Sequence, residues 1–257
     1  MLKQILVATA LYLSSVSAEC TYSSLQEFTK AYVTQQATGA FATTASSAAY
    51  TENFRPVNIS SGVISRPLRI DFSRSTHDTT QCATYTEIIV TNPSHPYVIG
   101  TQLRFSSDGT TLTNINSVVT DAGDWLFNAT GTLKWASVEN WGTIPVEKRD
   151  TRAVIQAAAD AYLDLFNDPS VKAPWGTPCA RLEGGAYTGS GAPTDSCNVG
   201  VPSGVPLTNR RYVIDETVGE VDVFVDFGNN KIPDTHEFRI EGGKIRFVHT
   251  MTATGGA

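Results

Sequence analysis

The chain has 257 residues, with 19 Lys and Arg against 25 Asp and Glu, and a net charge of −6. Its only adjacent basic pairs are Lys148-Arg149 and Arg210-Arg211, which argues against nucleic acid or an anionic membrane as a partner, since both are bound through clustered positive charge. Beyond residue 18 no segment nears the ~18–20 apolar residues of a membrane span, and the rest fits one large domain or two of about 110–130 residues.

Residues 1–18 read as a secretory signal peptide. Lys3 gives a positive start and Ile5 to Leu13 an apolar core too short to cross a bilayer. Val16 and Ala18 are the small residues at minus three and minus one of a cut before Glu19. The chain is therefore expected to be secreted or held in a vesicular lumen.

The remainder reads as two halves, 19–147 and 148–257, each a long helix followed by strands. Ser24 and Glu27 have capping-box spacing, Leu25, Phe28 and Tyr32 form an apolar stripe, and Gly39 is a stop. A helix is expected from near Ser24 to Gln36. Strands are expected at Ala83–Asn92, Tyr97–Phe105 and Thr111–Thr120, punctuated by Pro93-Ser94-His95-Pro96 and Ser107-Asp108-Gly109. Val146-Glu147-Lys148-Arg149 joins the halves, and its dibasic pair is read as an exposed linker rather than a processing site. The second helix is expected from Asp150 to Asn167, with Ile155, Ala158, Ala159, Tyr162 and Phe166 on one face and Asp168-Pro169 as its end. Four strands follow, Arg211–Thr217, Glu220–Phe227, Thr235–Ile240 and Lys244–Met251, with Gly219 and Gly242-Gly243 as hairpin turns. One long helix before tightly turned antiparallel strands makes an α+β unit, the helix covering one face of a curved sheet. A parallel sheet is not expected, because no helix is readable between successive strands.

Cys20, Cys82, Cys179 and Cys197 all lie past the signal, and an even number in an exported chain points to disulfides, with three pairings open. Cys20–Cys82 and Cys179–Cys197 are expected because each bond then stays within one half. No close Cys pair with His at ligand spacing suggests zinc, and no metal or other cofactor is expected. Asn58-Ile59-Ser60 and Asn128-Ala129-Thr130 are sequons, so Asn58 and Asn128 are candidate glycosylation sites on the surface.

Arg211-Tyr-Val-Ile-Asp-Glu216, Gly219-Glu-Val-Asp-Val-Phe-Val-Asp-Phe227 and Asp234-Thr-His-Glu-Phe-Arg-Ile-Glu-Gly-Gly-Lys-Ile-Arg-Phe-Val-His-Thr250 resemble the last strands of the NTF2-like, SnoaL-like superfamily. That fold is a cone of curved sheet capped by a helix around a pocket, and the first half resembles a more divergent copy. Gly123-Asp-Trp-Leu-Phe-Asn128, Trp175-Gly-Thr-Pro-Cys-Ala-Arg-Leu-Glu-Gly-Gly185 and Asn209-Arg-Arg-Tyr-Val-Ile-Asp215 further resemble a group of secreted fungal tandem NTF2-like proteins. That group includes the hetero-Diels–Alderases of tropolonic sesquiterpenoid biosynthesis, of the eupenifeldin and xenovulene type. The resemblance implies a reaction between a tropolone-derived quinone methide and a humulene-type sesquiterpene, both apolar small molecules. Whether the halves pair within one chain or across a homodimer stays open.

Strand alternation places His236 with Phe238 and Ile240, and His249 with Ile245, Phe247 and Met251, so both histidines are expected to face the apolar interior as catalytic hydrogen-bond donors or proton carriers. Glu237, Arg239, Lys244 and Arg246 are expected to face water. Trp175, Tyr212 and Trp125 are candidate pocket walls, and Arg181 a candidate anchor for an acidic enol. Asp222, Asp226 and Asp234 resemble a carboxylate cluster, but the first two alternate with Val221, Val223, Val225 and Phe227 and read as a solvated face. No Gly-x-Ser-x-Gly, P-loop or His-Glu-x-x-His motif is present. The rival expectations are a non-catalytic secreted small-molecule-binding protein and an acid–base isomerase or cyclase.

Overall fold

The computed structural model describes residues 20–255, so the signal segment lies outside the described residues. The chain opens with α1 (Tyr22–Thr38), followed by α2 (Phe41–Thr44), β1 (Ala49–Glu52), β2 (Arg55–Pro56), β3 (Phe72–Asp78), β4 (Ala83–Val90), β5 (Tyr97–Phe105) and β6 (Leu112–Thr120). A short helix α3 (Ala129–Ala136) leads to α4 (Arg152–Leu165), then β7 (Trp175–Glu183), β8 (Ala186–Tyr187), β9 (Leu207–Asp215), β10 (Glu220–Phe227), β11 (Ile232–Glu241) and β12 (Lys244–Thr252). The architecture is α+β, with two six-stranded sheets in the orders β2-β1-β6-β5-β4-β3 and β8-β7-β12-β11-β10-β9. The second order repeats the first, strand for strand.

Both long helices begin one residue after a threonine. Thr21 accepts from the Ser24 amide and Thr151 from the Val154 amide, so the helix start lies ahead of the Ser24/Glu27 pair that sequence spacing suggested. Gly39 ends α1 in the left-handed region at φ 73°. On its sheet, α1 buries Leu25 and Tyr32 against Ile88, Ile99, Leu103 and Ile115. Likewise α4 buries Ile155, Ala159, Tyr162 and Leu163 against Val221, Val223, Phe238 and Ile240.

Five strands were invisible to sequence patterning, among them the two-residue β2 and β8. β3 reads Phe-Ser-Arg-Ser-Thr-His-Asp, without apolar alternation, and β7 carries Gly176 and Pro178, residues that normally demote a strand. β1 is only four residues long. The sheets are also mixed rather than wholly antiparallel. β1 pairs parallel with β6, and β7 parallel with β12. Each of these strands precedes its antiparallel meander in the chain and docks beside the last strand, which needs no helix between neighbours.

The second faces of the sheets meet each other instead of water. Tyr85, Val98 and Val118 from one sheet and Leu182, Val213, Phe224 and Met251 from the other form a single apolar cluster. This corrects the expectation of solvated faces. Asp222, Glu237 and Arg239 are buried, because the face they share is covered by the opposite half. Arg239 is paired there with Glu241 at 2.9 Å and donates to the carbonyls of Gly142 and Val218. The disulfides Cys20–Cys82 and Cys179–Cys197 each close within one half. Asn58 and Asn128 are both exposed. Among the described residues no helix is long and apolar enough to cross a membrane.

Candidate active site

Whether the two candidate histidines share a site is decided by one extra residue. Across β11 and β12, Arg239 faces Phe247 but Ile240 faces Ile245, so Arg246 is a bulge. A bulge inverts side-chain parity in the rest of its strand. Ile245 and Val248 therefore pack beneath α4, whereas Phe247, His249 and Met251 point to the interface between sheets. His236 faces α4, with its ring 5.6 Å from that of Tyr162 and 5.8 Å from that of Phe166. The expected shared placement of His236 and His249 is thus corrected. They project from opposite faces of one sheet.

His236 lies on a cavity of about 420 Å³ at one end of the second sheet. That is within the roughly 300–1,000 Å³ typical of small-molecule sites. Phe166, Val205, Phe227, Ile232 and Trp125 supply its apolar wall, and Arg181, Glu183, His236, Thr250 and Thr252 the polar groups. Asp234 sits two residues before His236 on the same face, with its Oδ1 3.2 Å from the imidazole Nδ1. Its other oxygen accepts from the Thr252 hydroxyl at 3.1 Å. Burial raises the Asp234 pKa, against the opposing pull of His236. Oδ1 and Nδ1 are close but not aligned for a hydrogen bond, and among the described residues neither finds another partner, so the carboxylate lies beside the imidazole without fixing it.

Arg181 is 3% exposed, so it is a buried arginine and not a surface one. Its Nη1 lies 3.0 Å from Glu183 and donates to the Tyr162 hydroxyl at 3.3 Å, while Nη2 donates to the Val199 carbonyl. Among the described residues its Nε meets no acceptor. The segment carrying Gly200, Pro202 and Val205, which Cys197 ties to β7, also lines the cavity.

Of the predicted site residues, the cavity brings together His236, Arg181 and Trp125. Trp125 reaches it from the first half and is 42% exposed. Trp175 and Tyr212 are not on the cavity. Trp175 packs edge-on to Tyr162, with ring centroids 5.6 Å apart, and Tyr212 donates to Asp160 on α4 at 2.6 Å. Sequence reading missed Asp234 as a partner of His236. The signal was present in the Asp-x-His spacing, which puts both side chains on one strand face.

His249 belongs to a buried charge cluster between the halves. Its Nε2 lies 2.7 Å from Glu139 and its Nδ1 3.2 Å from Glu87. Burial alone would lower the His249 pKa, but the charges of Glu139 and Glu87, with hydrogen bonds to both, push it up to about 10. Arg74 Nη2 lies 2.5 Å from Glu237, 3.0 Å from Glu87 and 3.1 Å from His249 Nδ1. Glu87, Glu237 and His249 converge as three metal ligands would, but the guanidinium already stands where a cation would bind. Burial, reinforced by the charge of Glu237, raises the Glu220 pKa well above the usual carboxylate range.

Residues 148–252 match the family described as a domain of unknown function, DUF8021. That stretch holds α4, all six strands of the second sheet and every cavity residue named above except Trp125. No curated protein matches the chain.

Proposed function

We propose that the two halves are NTF2-like units and that the second is an enzyme, a hetero-Diels–Alderase joining a tropolone-derived quinone methide to a humulene-type alkene. The reading rests on the resemblance described above. The observation that carries it is the convergence of His236, with Asp234 beside it outside the lining, and a buried arginine on one mostly apolar cavity. Arg181 would hold the tropolone as its enolate anion, and His236 would pass a proton to the hydroxymethyl oxygen, which leaves as water and gives the neutral quinone methide. The resulting heterodiene then forms its C–C and C–O bonds to the alkene without further proton transfer. Holding two apolar partners aligned can lower such a barrier by up to about 7–11 kcal/mol, and a closed apolar wall limits rehydration of the intermediate.

The test is incubation of the purified protein with a hydroxymethyl tropolone and humulene, followed by chiral chromatography of the adducts. The reading predicts faster and stereoselective adduct formation that His236→Ala and Asp234→Asn each reduce at least tenfold. Yield and stereochemistry equal to the protein-free control would remove it. A second reading is favoured by the same Asp234–His236 pair, which would serve an acid–base isomerase or cyclase equally well. Turnover of an enolisable ketone without any alkene partner would select that reading. Saturable binding of the tropolone with no turnover of either kind would leave a binding protein.

A further inference from the structure

A second concavity, of about 510 Å³, lies at the seam between the halves. The turn from β1 to β2 contributes Asn53, Phe54 and Arg55, and the second half contributes Asn209, Arg211, Asp226, Asn230 and Lys231. Three cationic side chains and three carboxamides thus surround a single carboxylate in a protein of net charge −6. Arg211 lies over the Phe54 ring at 3.9 Å and is 5.8 Å from that of Phe224. Its Nε and Nη2 are out of contact with solvent and, among the described residues, meet no acceptor. Asp226 attracts it electrostatically but makes no ion pair with it. Among the described residues, four of the six non-glycine residues with left-handed backbone, Asn53, Phe54, Asn209 and Lys231, border this groove. Strain of that kind costs on the order of 1 kcal/mol or more per residue and concentrates where a surface is shaped for a ligand.

We infer that this groove binds the carboxylate of a small organic acid, with Arg211 as the planar anchor and Lys231, Asn209 and Asn230 as additional donors, Asn53 being held by the Val119 backbone. Because Nε and Nη2 lie beneath the groove surface, the carboxylate reaches them as the Arg211 side chain shifts on Phe54, and the planar guanidinium then offers two parallel hydrogen bonds, the geometry a carboxylate matches. The site is separate from the His236 cavity, although Ile232 and Thr254 border both.

The test is isothermal titration of the purified full chain with benzoate, and with benzamide as the uncharged control. Benzoate is expected to bind saturably at one site, at least tenfold more tightly than benzamide. Arg211→Gln should abolish binding and Lys231→Gln weaken it several-fold, with melting temperature monitored for each variant. Asp226→Asn, which removes the competing charge, should tighten binding several-fold, a gain that a purely structural role would not produce. Raising the salt concentration should weaken binding. No saturable binding, equal affinity for benzamide, or unchanged affinity in Lys231→Gln and Asp226→Asn would overturn the assignment.

Discussion

Arg74→Met isolates what holds the two halves together. Methionine keeps an apolar stem against Trp141, over whose ring the guanidinium lies at 3.8 Å, but removes the cation between Glu237 and Glu87. At an effective dielectric of ~20, each charge contact near 3 Å is worth about 5 kcal/mol before desolvation is subtracted. Removing one partner of such a buried group typically costs about 3–5 kcal/mol, because the remaining charges stay buried. The assay is urea denaturation at pH 7.5 and 5.5, with Lys30→Met on the exposed face of α1 as control. In the wild type, burial raises the Glu87 pKa, but His249 and Arg74 together hold it below the usual value. Its stabilisation is therefore present above the unfolded pKa and lost as pH falls through the folded one. In the variant the uncompensated carboxylates take up protons more readily, so its deficit should narrow at pH 5.5. A loss below about 1 kcal/mol at pH 7.5, or a deficit that widens in acid, would refute the reasoning.

At the alkaline end, His249 stabilises the fold fully below its unfolded pKa of about 6.5, and this is lost as pH rises through about 10. Wild-type stability should fall by a few kcal/mol across that window and His249→Gln stability should not, so parallel denaturation curves would contradict the assignment. The double replacement Cys179→Ser, Cys197→Ser opens a loop of sequence separation 18 and should cost roughly 3 kcal/mol, with increased proteolysis of the segment 188–206. Proteolysis confined to other segments would speak against that segment being held by the bond. Expression in a eukaryotic secretory host should give a mass excess removed by an N-glycosidase and lost in an Asn58→Gln, Asn128→Gln variant; an unchanged mass would show that neither exposed sequon is used.

Much of the fold is legible in the sequence because both long helices carry a clear apolar stripe and the central strands alternate. Leu25 and Tyr32 on α1, and Ile155 and Tyr162 on α4, are the buried residues that the stripe singles out. The edges were hidden for physical reasons. β3 is polar because Arg74 and Thr76 face Glu237 and Glu220, buried carboxylates of the opposite half, which looks like solvent exposure in a sequence pattern. The same effect hid Asp222, held by Gln102 at 2.6 Å and by Thr235, and Glu237, held by Arg74. Alternation says which residues share a face, not what covers it.

The site was half legible. His236 and Arg181 stand out by residue type, and both reach the cavity. His249 was placed with them because a one-residue bulge at Arg246 leaves no trace in the pattern of Ile245, Phe247 and Met251. Trp175 and Tyr212 were drawn in as aromatics, yet they finish the packing around α4. The cavity lining at Gly200, Pro202 and Val205 comes from an irregular segment whose position depends on the Cys179–Cys197 bond and on Asp195 collecting the amides of Ser190, Gly191 and Ala192. Periodicity carries no information about such a segment.

His236, and not His249, is the imidazole expected to meet the substrate. Proton NMR of the histidine ring resonances during titration with the tropolone substrate reads this directly. Shifts at His236 that saturate with substrate, with His249 unmoved between its carboxylates, are the result predicted. Shifts at His249 alone, or none at His236 at saturating substrate, would contradict it.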